Sequence, residues 1–194
     1  GLTQLANAPD EDSQPLPSPD GRHILFQGGD GAMVMEADGS GRRSLRGCSF
    51  TPEAWSPDSR HVVCSDYEQG LVVLDTVDGT STQIAESGEM PSWSPDGTTI
   101  VFIDENKLFA IPATGGARRR LGIHKAEEFA APTWSPDSRR VAYVSPVTGD
   151  REALWTIGVN GSGGRRMAQN VDEWSPSWSP DGARIAFVKT LAHE

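Results

Sequence analysis

The tripeptide Ser-Pro-Asp occurs five times and each time places a hydroxyl two residues before a carboxylate. The five copies read PSPDG at 17–21, WSPDS at 55–59, WSPDG at 93–97, WSPDS at 134–138 and WSPDG at 178–182. His23 and His61 follow two of the copies closely. Hydroxyl, carboxylate and imidazole are the groups of a nucleophilic site. The repetition therefore raises the question whether the motif acts chemically five times or turns the chain five times.

The segments around the motif repeat together with it. The motif aspartates recur about every 40 residues, a period typical of repeat proteins built from supersecondary units. Each motif is followed by a segment rich in aliphatic, β-branched and aromatic residues, which indicates a strand. These segments read RHILFQ at 22–27, RHVVCS at 60–65, TTIVFI at 98–103, RRVAYV at 139–144 and ARIAFV at 183–188. They are apolar on both faces, so we expect other sheets to cover both faces.

The remainder of each repeat predicts a small sheet. In the first four units a second apolar strand ends at an Asp-Gly, Gly-Gly or Asn-Gly pair suited to a hairpin, and a third strand leaves that turn. No segment has a helical period. The sequence therefore predicts an all-β fold, a β-propeller of about five four-stranded antiparallel blades. We expect one domain over 1–194, with blades near 14–45, 50–84, 89–121 and 130–168, and a last blade made of 174–190 plus 1–6.

We interpret Ser-Pro-Asp as the corner between the first two strands of each blade. Proline presets φ for a type I turn, aspartate accepts local backbone N–H bonds, and glycine supplies the left-handed residue that follows. The tryptophan before the corner is expected to pack between blades. Ser59 and Ser138 replace the glycine, at a predicted cost of about 1–2 kcal/mol. The aspartates with this structural role are Asp20, Asp58, Asp96, Asp137 and Asp181.

Charge and composition exclude several classes of partner. The chain of 194 residues has a formal net charge of -10 and a pI near 4.8, which makes nucleic acid a poor partner because its recognition needs a basic surface. No apolar run approaches the ~18 residues of a membrane helix, so we expect no membrane insertion. Cys48 and Cys64 fall on predicted neighbouring strands. They either form a disulfide, worth about 3 kcal/mol for a short loop, or pack as two buried thiols.

These residues also resemble a known family. The TolB-type propellers, a branch of the WD-repeat-like class, have Trp-Ser-Pro-Asp-Gly followed by an Ile-Ala-Phe-like strand, and PSWSPDGARIAFV at 176–188 is similar to that pattern almost letter for letter. The resemblance covers nearly the whole chain and implies the propeller fold. It does not specify a function, since such blades occur in periplasmic TolB, in gating propellers of prolyl-oligopeptidase-like enzymes, in sugar lyases and in sensors.

The chain departs from this family at its two ends. Pro17 stands where the first copy needs tryptophan, and the fifth unit stops after its second strand. Gly1–Leu5 resembles an outermost strand, so we expect the N-terminal segment to close the last blade. That blade would still lack one strand, which another chain could supply by β-augmentation.

Candidate binding residues lie in the loops opposite the corners. In a propeller, the connections between blades and between the second and third strands share one face, and most of the 27 acidic residues fall there. This predicts an acidic face that attracts a basic protein or peptide, although polar loops in an acidic protein give the same composition. The partner-binding candidates are Phe50, Glu89, His124, Glu127, Glu128, Phe129, Asp172 and Trp174. We expect no cofactor and no metal site, because no spacing matches a calcium loop or a zinc site.

The sequence gives little indication of catalysis. It has no Gly-x-Ser-x-Gly elbow, no phosphate-binding glycine loop and no base placed beside a nucleophile. We therefore predict a non-enzymatic scaffold that binds a protein or peptide. The alternatives are an accessory or gating propeller of a larger enzyme, an extracellular sensor domain, and a carbohydrate-binding or lyase propeller. The resemblance implies a periplasmic or extracellular location, with the cytoplasm as the alternative.

Overall fold

The computed structural model describes residues 12–29, 31–46, 48, 52–66, 68–122, 130–147, 151–172 and 175–189. Strands are the only regular elements in these ranges. They are β1 Ser13–Pro17, β2 His23–Gly28, β3 Gly31–Glu36, β4 Arg43–Ser44, β5 Pro52–Trp55, β6 His61–Asp66, β7 Gly70–Asp75, β8 Ser81–Ala85, β9 Glu89–Trp93, β10 Thr99–Asp104, β11 Lys107–Pro112, β12 Arg119–Arg120, β13 Thr133–Trp134, β14 Arg140–Val147, β15 Arg151–Gly158, β16 Arg165–Val171, β17 Ser177–Trp178 and β18 Ile185–Ala186.

The strands form four four-stranded antiparallel sheets and one two-stranded sheet, each in sequence order. The chain divides into two compact units. Unit 1, Gly1–Ser87, contains the sheets β1–β4 and β5–β8, and unit 2, Gly88–Glu194, contains β9–β12, β13–β16 and β17–β18. The predicted all-β architecture of four-stranded blades is confirmed. Closure of the last blade by the N-terminal segment stays a prediction, because residues 1–11 lie outside the described residues.

The core lies between neighbouring sheets within each unit. In unit 1, Leu25 and Val34 of the first blade pack with Val62 and Leu74 of the second. In unit 2, one cluster joins the blades of β10 and β14, and another joins β14 and β15 to Trp178 and Ile185. In the four-stranded blades the second and third strands are therefore largely buried, whereas the fourth strands β4, β8, β12 and β16 are largely exposed.

Three of the four motif tryptophans bond their sheet to the sheet before it in the same unit, whereas Nε1 of Trp93 is buried without a hydrogen-bond partner. The indole Nε1–H of Trp55 donates to the carbonyl of Leu16 on β1 over 3.0 Å. Trp134 donates in the same way to Ser92 on β9 over 3.0 Å, and Trp178 donates to Thr133 on β13 over 3.3 Å. Each of these three rings thus buries an apolar surface and satisfies its one polar atom in the same contact.

Each Ser-Pro-Asp motif forms a hydrogen-bonded corner. The serine hydroxyl donates to Oδ1 of the aspartate and accepts the backbone N–H five residues on, for example from Thr99 to Ser94 over 3.0 Å. The same Oδ1 accepts the N–H two residues beyond the aspartate, from Thr98 to Asp96 over 3.0 Å. The other four corners repeat this arrangement.

These corner hydrogen bonds lower the pKa of the motif carboxyls. The serine hydroxyl is the main cause at Asp20, Asp96, Asp137 and Asp181, and the backbone N–H two residues on adds to it. At Asp58 burial acts most strongly and would raise the pKa. The hydrogen bonds from Ser56 and the Arg60 N–H outweigh the effect of burial, so this pKa is lowered as well.

The two serines that replace corner glycines also bond to the preceding blade. Ser59 has φ 62° and Ser138 has φ 59°, in the left-handed region occupied by Gly21, Gly97 and Gly182 in the other corners. The Asp20 N–H donates to Oγ of Ser59 over 3.0 Å, and the Asp96 N–H donates to Oγ of Ser138 over 3.0 Å. The backbone strain at each serine is therefore offset by a hydrogen bond between consecutive corners.

A disulfide joins Cys48 and Cys64, which are 16 residues apart. Both residues belong to the core cluster between the two blades of unit 1. The alternative of two buried thiols is therefore wrong. The bond attaches the segment that leaves the first blade to the second strand of the next blade.

Removing the Ser59 hydroxyl separates backbone strain from hydrogen bonding. Ser59→Ala keeps the left-handed backbone and loses the bond from Asp20, so we expect the free energy of unfolding to fall by about 1 kcal/mol. Ser59→Gly loses the same bond but relieves about 1–2 kcal/mol of strain, so it should be at least as stable as the parent. Urea unfolding measures both, and an alanine variant as stable as the glycine variant would contradict this account.

The lowered carboxyl pKa values predict acid sensitivity. The corner aspartates lose protons more readily in the folded chain than in the unfolded chain, where the pKa is about 3.9. Their stabilisation is therefore complete above about pH 4 and is lost as the pH falls through the lower folded values. Urea unfolding from pH 7 to pH 3 should show this decline. Asp96→Asn should flatten the decline, and Glu86→Gln, which removes a charge outside the corners, should leave it unchanged.

The disulfide predicts a redox-dependent stability. Cys48→Ala combined with Cys64→Ala should lower the free energy of unfolding by about 3 kcal/mol, because the open chain gains conformational entropy when unfolded. A reducing agent should destabilise the parent by a similar amount and leave the double variant unaffected. An equal response of both proteins to the reductant would contradict this prediction.

Candidate partner-binding loops

The antiparallel strands give each blade two different ends. We call the end with the Ser-Pro-Asp corner and the turn between the third and fourth strands the corner end. The opposite end, where chains cross between blades and between the second and third strands, is the loop end. Most of the predicted partner-binding residues fall in loop-end connections.

In unit 1, two loop-end connections of the second blade pack against each other. Asp66 is buried and accepts the N–H groups of Glu68 and Gln69, both over 2.9 Å, which fixes the loop between β6 and β7. Gly70 follows with φ 72°. A Cβ at Gly70 would lie 2.3 Å from the carbonyl carbon of Glu86, so glycine is needed for the close approach of the chain after β8.

This packing presents two exposed carboxylates on adjoining loops. Glu68 and Glu86 are both exposed, and we call them the acidic loop pair. Gln83 on β8 also fixes the loop between β6 and β7, because its Nε2 donates to the carbonyl of Gln69 over 2.5 Å. The acidic loop pair therefore lies on backbone that is fixed by hydrogen bonds and by a glycine contact.

Other loop-end carboxylates are neutralised within their own blade. Arg42 donates to both oxygens of Asp12 over 2.6 and 2.9 Å, and its guanidinium lies 4.9 Å from the ring centre of Phe26. In unit 2, Arg118 donates to Asp104 over 2.6 Å and lies 4.6 Å from the ring centre of Phe109. The arginines beside these fourth strands thus hold their own loops, and Lys107 pairs with Glu105 in the same way over 2.6 Å.

Two of the eight predicted partner-binding residues lie in the described part of the chain. Glu89 begins β9 and is exposed, whereas Asp172 is half-buried after β16, and its N–H donates to the carbonyl of Val188 over 3.1 Å. The structure brings neither residue into a cluster that the sequence predicted. The other six, Phe50, His124, Glu127, Glu128, Phe129 and Trp174, lie outside the described residues and stay predictions.

The corner end contains a charged cluster that the sequence did not predict. His61 pairs with Asp75 across β6 and β7, and Arg60 Nε donates to Asp75 over 2.6 Å. Burial raises the pKa of Asp75, but the N–H of Val77 and the Arg60 guanidinium lower it further than burial raises it. His23 similarly faces Glu36, with 3.6 Å between Nε2 and Oε1. The sequence did contain a signal for these pairs. In the first two blades a histidine begins the second strand and a carboxylate ends the third, and these two positions pair across the strands.

This charged cluster stabilises the turn after β7. Asp75 Oδ1 accepts the N–H groups of Val77 and Asp78 over 2.8 and 3.3 Å, and its other oxygen receives Arg60. The residues that the structure describes contain no group of three or more His, Cys, Asp or Glu side chains able to hold a metal ion. In the same ranges no helix is long and apolar enough to cross a membrane.

Comparisons with known proteins give the same architecture. The family model described as the dipeptidyl peptidase IV N-terminal region matches residues 54–146. No curated protein matches the chain. Among solved structures, a putative TolB from Agrobacterium tumefaciens is 17% identical with a TM-score of 0.67, and the match covers 90% of this chain and 73% of that one.

Two further structures extend the comparison. TolB from Acinetobacter baumannii is 19% identical with a TM-score of 0.66, covering 93% of this chain and 49% of that one. An oligogalacturonate lyase in complex with manganese is 16% identical with a TM-score of 0.75, covering 97% of this chain and 61% of that one. This chain therefore spans about half the length of the Acinetobacter protein and less than two thirds of the lyase. The sheets of the chain are blades of the TolB-like β-propeller fold.

Proposed function

We propose that the chain is a non-enzymatic propeller that binds a basic segment of a protein or peptide through the loop ends of its blades. One observation carries this proposal: two loop-end carboxylates, the acidic loop pair, have surroundings different from those of the corner aspartates. The corner aspartates are held by hydroxyl and N–H donors within the chain. The acidic loop pair is exposed on fixed backbone and is available to a partner.

The charge of the chain favours a basic partner. A net charge of -10 produces a negative potential around the protein, which accelerates encounters with positively charged surfaces. Glu68 and Glu86 lie on loops whose backbone is already ordered by Asp66 and Gly70. Binding there therefore costs little loop-ordering entropy, which is the usual advantage of a preorganised site.

The shifted pKa values of the described residues support a role without catalysis. Catalytic groups commonly have shifted pKa values in a cleft. In this chain the carboxyls with lowered pKa values belong to corners and turns, where serine, threonine and backbone donors explain the shifts, as at Asp38 and Asp78. The raised pKa of Tyr143, about 12, results from burial in the core.

The disulfide supports export to the periplasm or the extracellular space. Stable disulfides form in oxidising compartments and are rare in the bacterial and eukaryotic cytosol. Cys48 and Cys64 are bonded inside the core of unit 1, where the bond stabilises the fold. The likeness to TolB proteins agrees with this location.

A basic peptide tests the proposal. We expect an alternating lysine–leucine octapeptide to bind the chain and to bind more weakly as salt is raised, because salt screens exposed charges. Glu68→Gln and Glu86→Gln should each weaken binding about two- to fivefold, as measured by fluorescence anisotropy. Glu36→Gln removes the same charge at the corner end of unit 1 and serves as the matched control. Equal losses in all three variants would indicate a general charge effect and contradict a loop-end site.

A second candidate function is an accessory domain of a larger peptidase. The match to the dipeptidyl peptidase IV N-terminal region favours it, because that match spans residues 54–146. In this case the loop ends would face the catalytic domain of the same protein. A reading frame that continues into a hydrolase sequence would favour this candidate. Crosslinks from the loop ends to a separate polypeptide would favour the first.

A further inference from the structure

Unit 2 contains a groove on the blade surface, away from the loop ends. It has a volume of about 420 Å³ and lies between the sheet β13–β16 and the two-stranded sheet β17–β18. Its lining includes Arg140, Arg165, Arg184, Met167, Trp178 and Phe187. We call it the arginine groove.

The arginine groove is basic although the chain as a whole is acidic. Its lining residues include three arginines and neither aspartate nor glutamate. In the described ranges no carboxylate forms an ion pair with these arginines, whereas Arg42, Arg60 and Arg118 each pair with one. Arg140 is half-buried, and its Nη2 donates to Oγ1 of Thr156 over 2.8 Å and to the carbonyl of Gly163 over 3.1 Å. These neutral acceptors orient the guanidinium without neutralising it.

The strand register explains why Arg140 has no acidic partner. In the first two blades, the residue at the start of the second strand faces a carboxylate on the third, His23 opposite Glu36 and His61 opposite Asp75. In the fourth blade, Arg140 faces Gly158. A Cβ at Gly158 would lie 2.8 Å from Oδ1 of Asn160 and 3.0 Å from the carbonyl of Ser162, so a carboxylate side chain there would have to displace the following turn. The charge of Arg140 is therefore left for an external anion.

Apolar side chains are exposed beside these arginines. Of the large hydrophobic residues exposed in the described ranges, Met167 at 47% and Phe187 at 41% line the groove, and Val188 at 48% follows Phe187. Exposed apolar patches on a soluble surface commonly mark contact sites. The groove thus combines positive charge with apolar surface.

The groove is also bordered by an open strand edge. In the described part of the chain, β18 pairs with β17 on one side only, whereas its counterparts β2, β6, β10 and β14 each have strands on both sides. Residues 182–185 line the groove, so β18 borders it. An open edge presents N–H and C=O groups that an extended peptide can pair with.

We propose that the arginine groove binds an extended acidic peptide, which adds as a strand to β18. The peptide backbone pairs with the open edge, its apolar side chains contact Met167 and Phe187, and its carboxylates bind the guanidinium groups of Arg165 and Arg184, with Arg140 at the floor. Guanidinium–carboxylate pairs are strong and directional. This site is separate from the loop ends and does not rest on the function proposed for them.

Fluorescence anisotropy with labelled octapeptides tests the charge requirement. A peptide with the repeat Val-Val-Glu-Glu, which presents both residue types on each face of a strand, should bind. The matched peptides with glutamine or lysine in place of glutamate should bind at least tenfold more weakly. Arg165→Gln and Arg184→Gln, both at exposed positions, should each weaken binding about fivefold. Arg139→Gln removes an exposed arginine outside the groove and should leave the affinity unchanged. Equal losses in all three variants, or equal binding of the three peptides, would overturn the proposal.

Hydrogen exchange tests strand addition separately. With the acidic peptide bound, the amides of residues 185–188 that do not already pair with β17 should exchange more slowly, because strand pairing protects them. Exchange that is already slow in the free chain would show that the edge is covered, and would overturn the proposal. Tighter binding of a galacturonate octamer than of the peptide would assign the groove to anionic saccharides instead and would also overturn it. Glu68→Gln should leave acidic-peptide binding unchanged, which separates a failure here from a failure at the loop ends.

Discussion

Within each unit, the contact between a motif tryptophan and the first strand of the preceding sheet is the interaction on which the stacking of the blades depends. A four-stranded sheet of this chain has two apolar faces and cannot bury either face alone. Trp55, Trp134 and Trp178 each cover one face of such a sheet and donate their indole N–H to a carbonyl of the sheet before it. The bond has a fixed direction and length, so it orients the next blade while the ring excludes water.

The corner after each tryptophan makes this contact repeatable. Proline, aspartate and serine place the second strand at a fixed angle, and the serine hydroxyl and aspartate carboxylate satisfy the backbone groups of the turn. At Ser59 and Ser138 the corner also reaches the corner of the preceding blade. The corner carboxylates accept hydrogen bonds from their own turns. Their repetition therefore reflects the repeated blade structure and does not indicate repeated catalytic sites. Groups that face a partner must come from positions that differ between blades.

The sequence predicted the elements that local rules determine. Strand segments, hairpin turns and the five corners follow from apolar patterning and from Pro, Asp and Gly at fixed positions. Contacts between blades were harder to predict from the sequence, because they depend on side chains that are far apart in the chain. At Ser59 the sequence alone predicts only the conformational cost of a left-handed serine. The compensating hydrogen bond cannot be predicted, because its donor, the Asp20 N–H, lies 39 residues away. The periodicity of the sequence also does not predict side-chain geometry. Examples are the Cys48–Cys64 disulfide and the stacking of Arg42 and Arg118 on phenylalanine rings.

A repeat fold also offers an internal standard for finding function. Equivalent positions in successive blades have the same backbone environment, so a change of residue type at one of them needs a separate explanation. Where His61 faces Asp75, Arg60 supplies a positive charge to the carboxylate and a turn is stabilised. Where Arg140 faces Gly158, the same register positions leave a positive charge beside an open groove. Packing does not require an arginine at position 140, because the equivalent position in the third blade is the neutral Thr99, opposite Pro112. In the part of the chain that the structure describes, no carboxylate pairs with this arginine, and this is the basis for the proposal that a ligand supplies one.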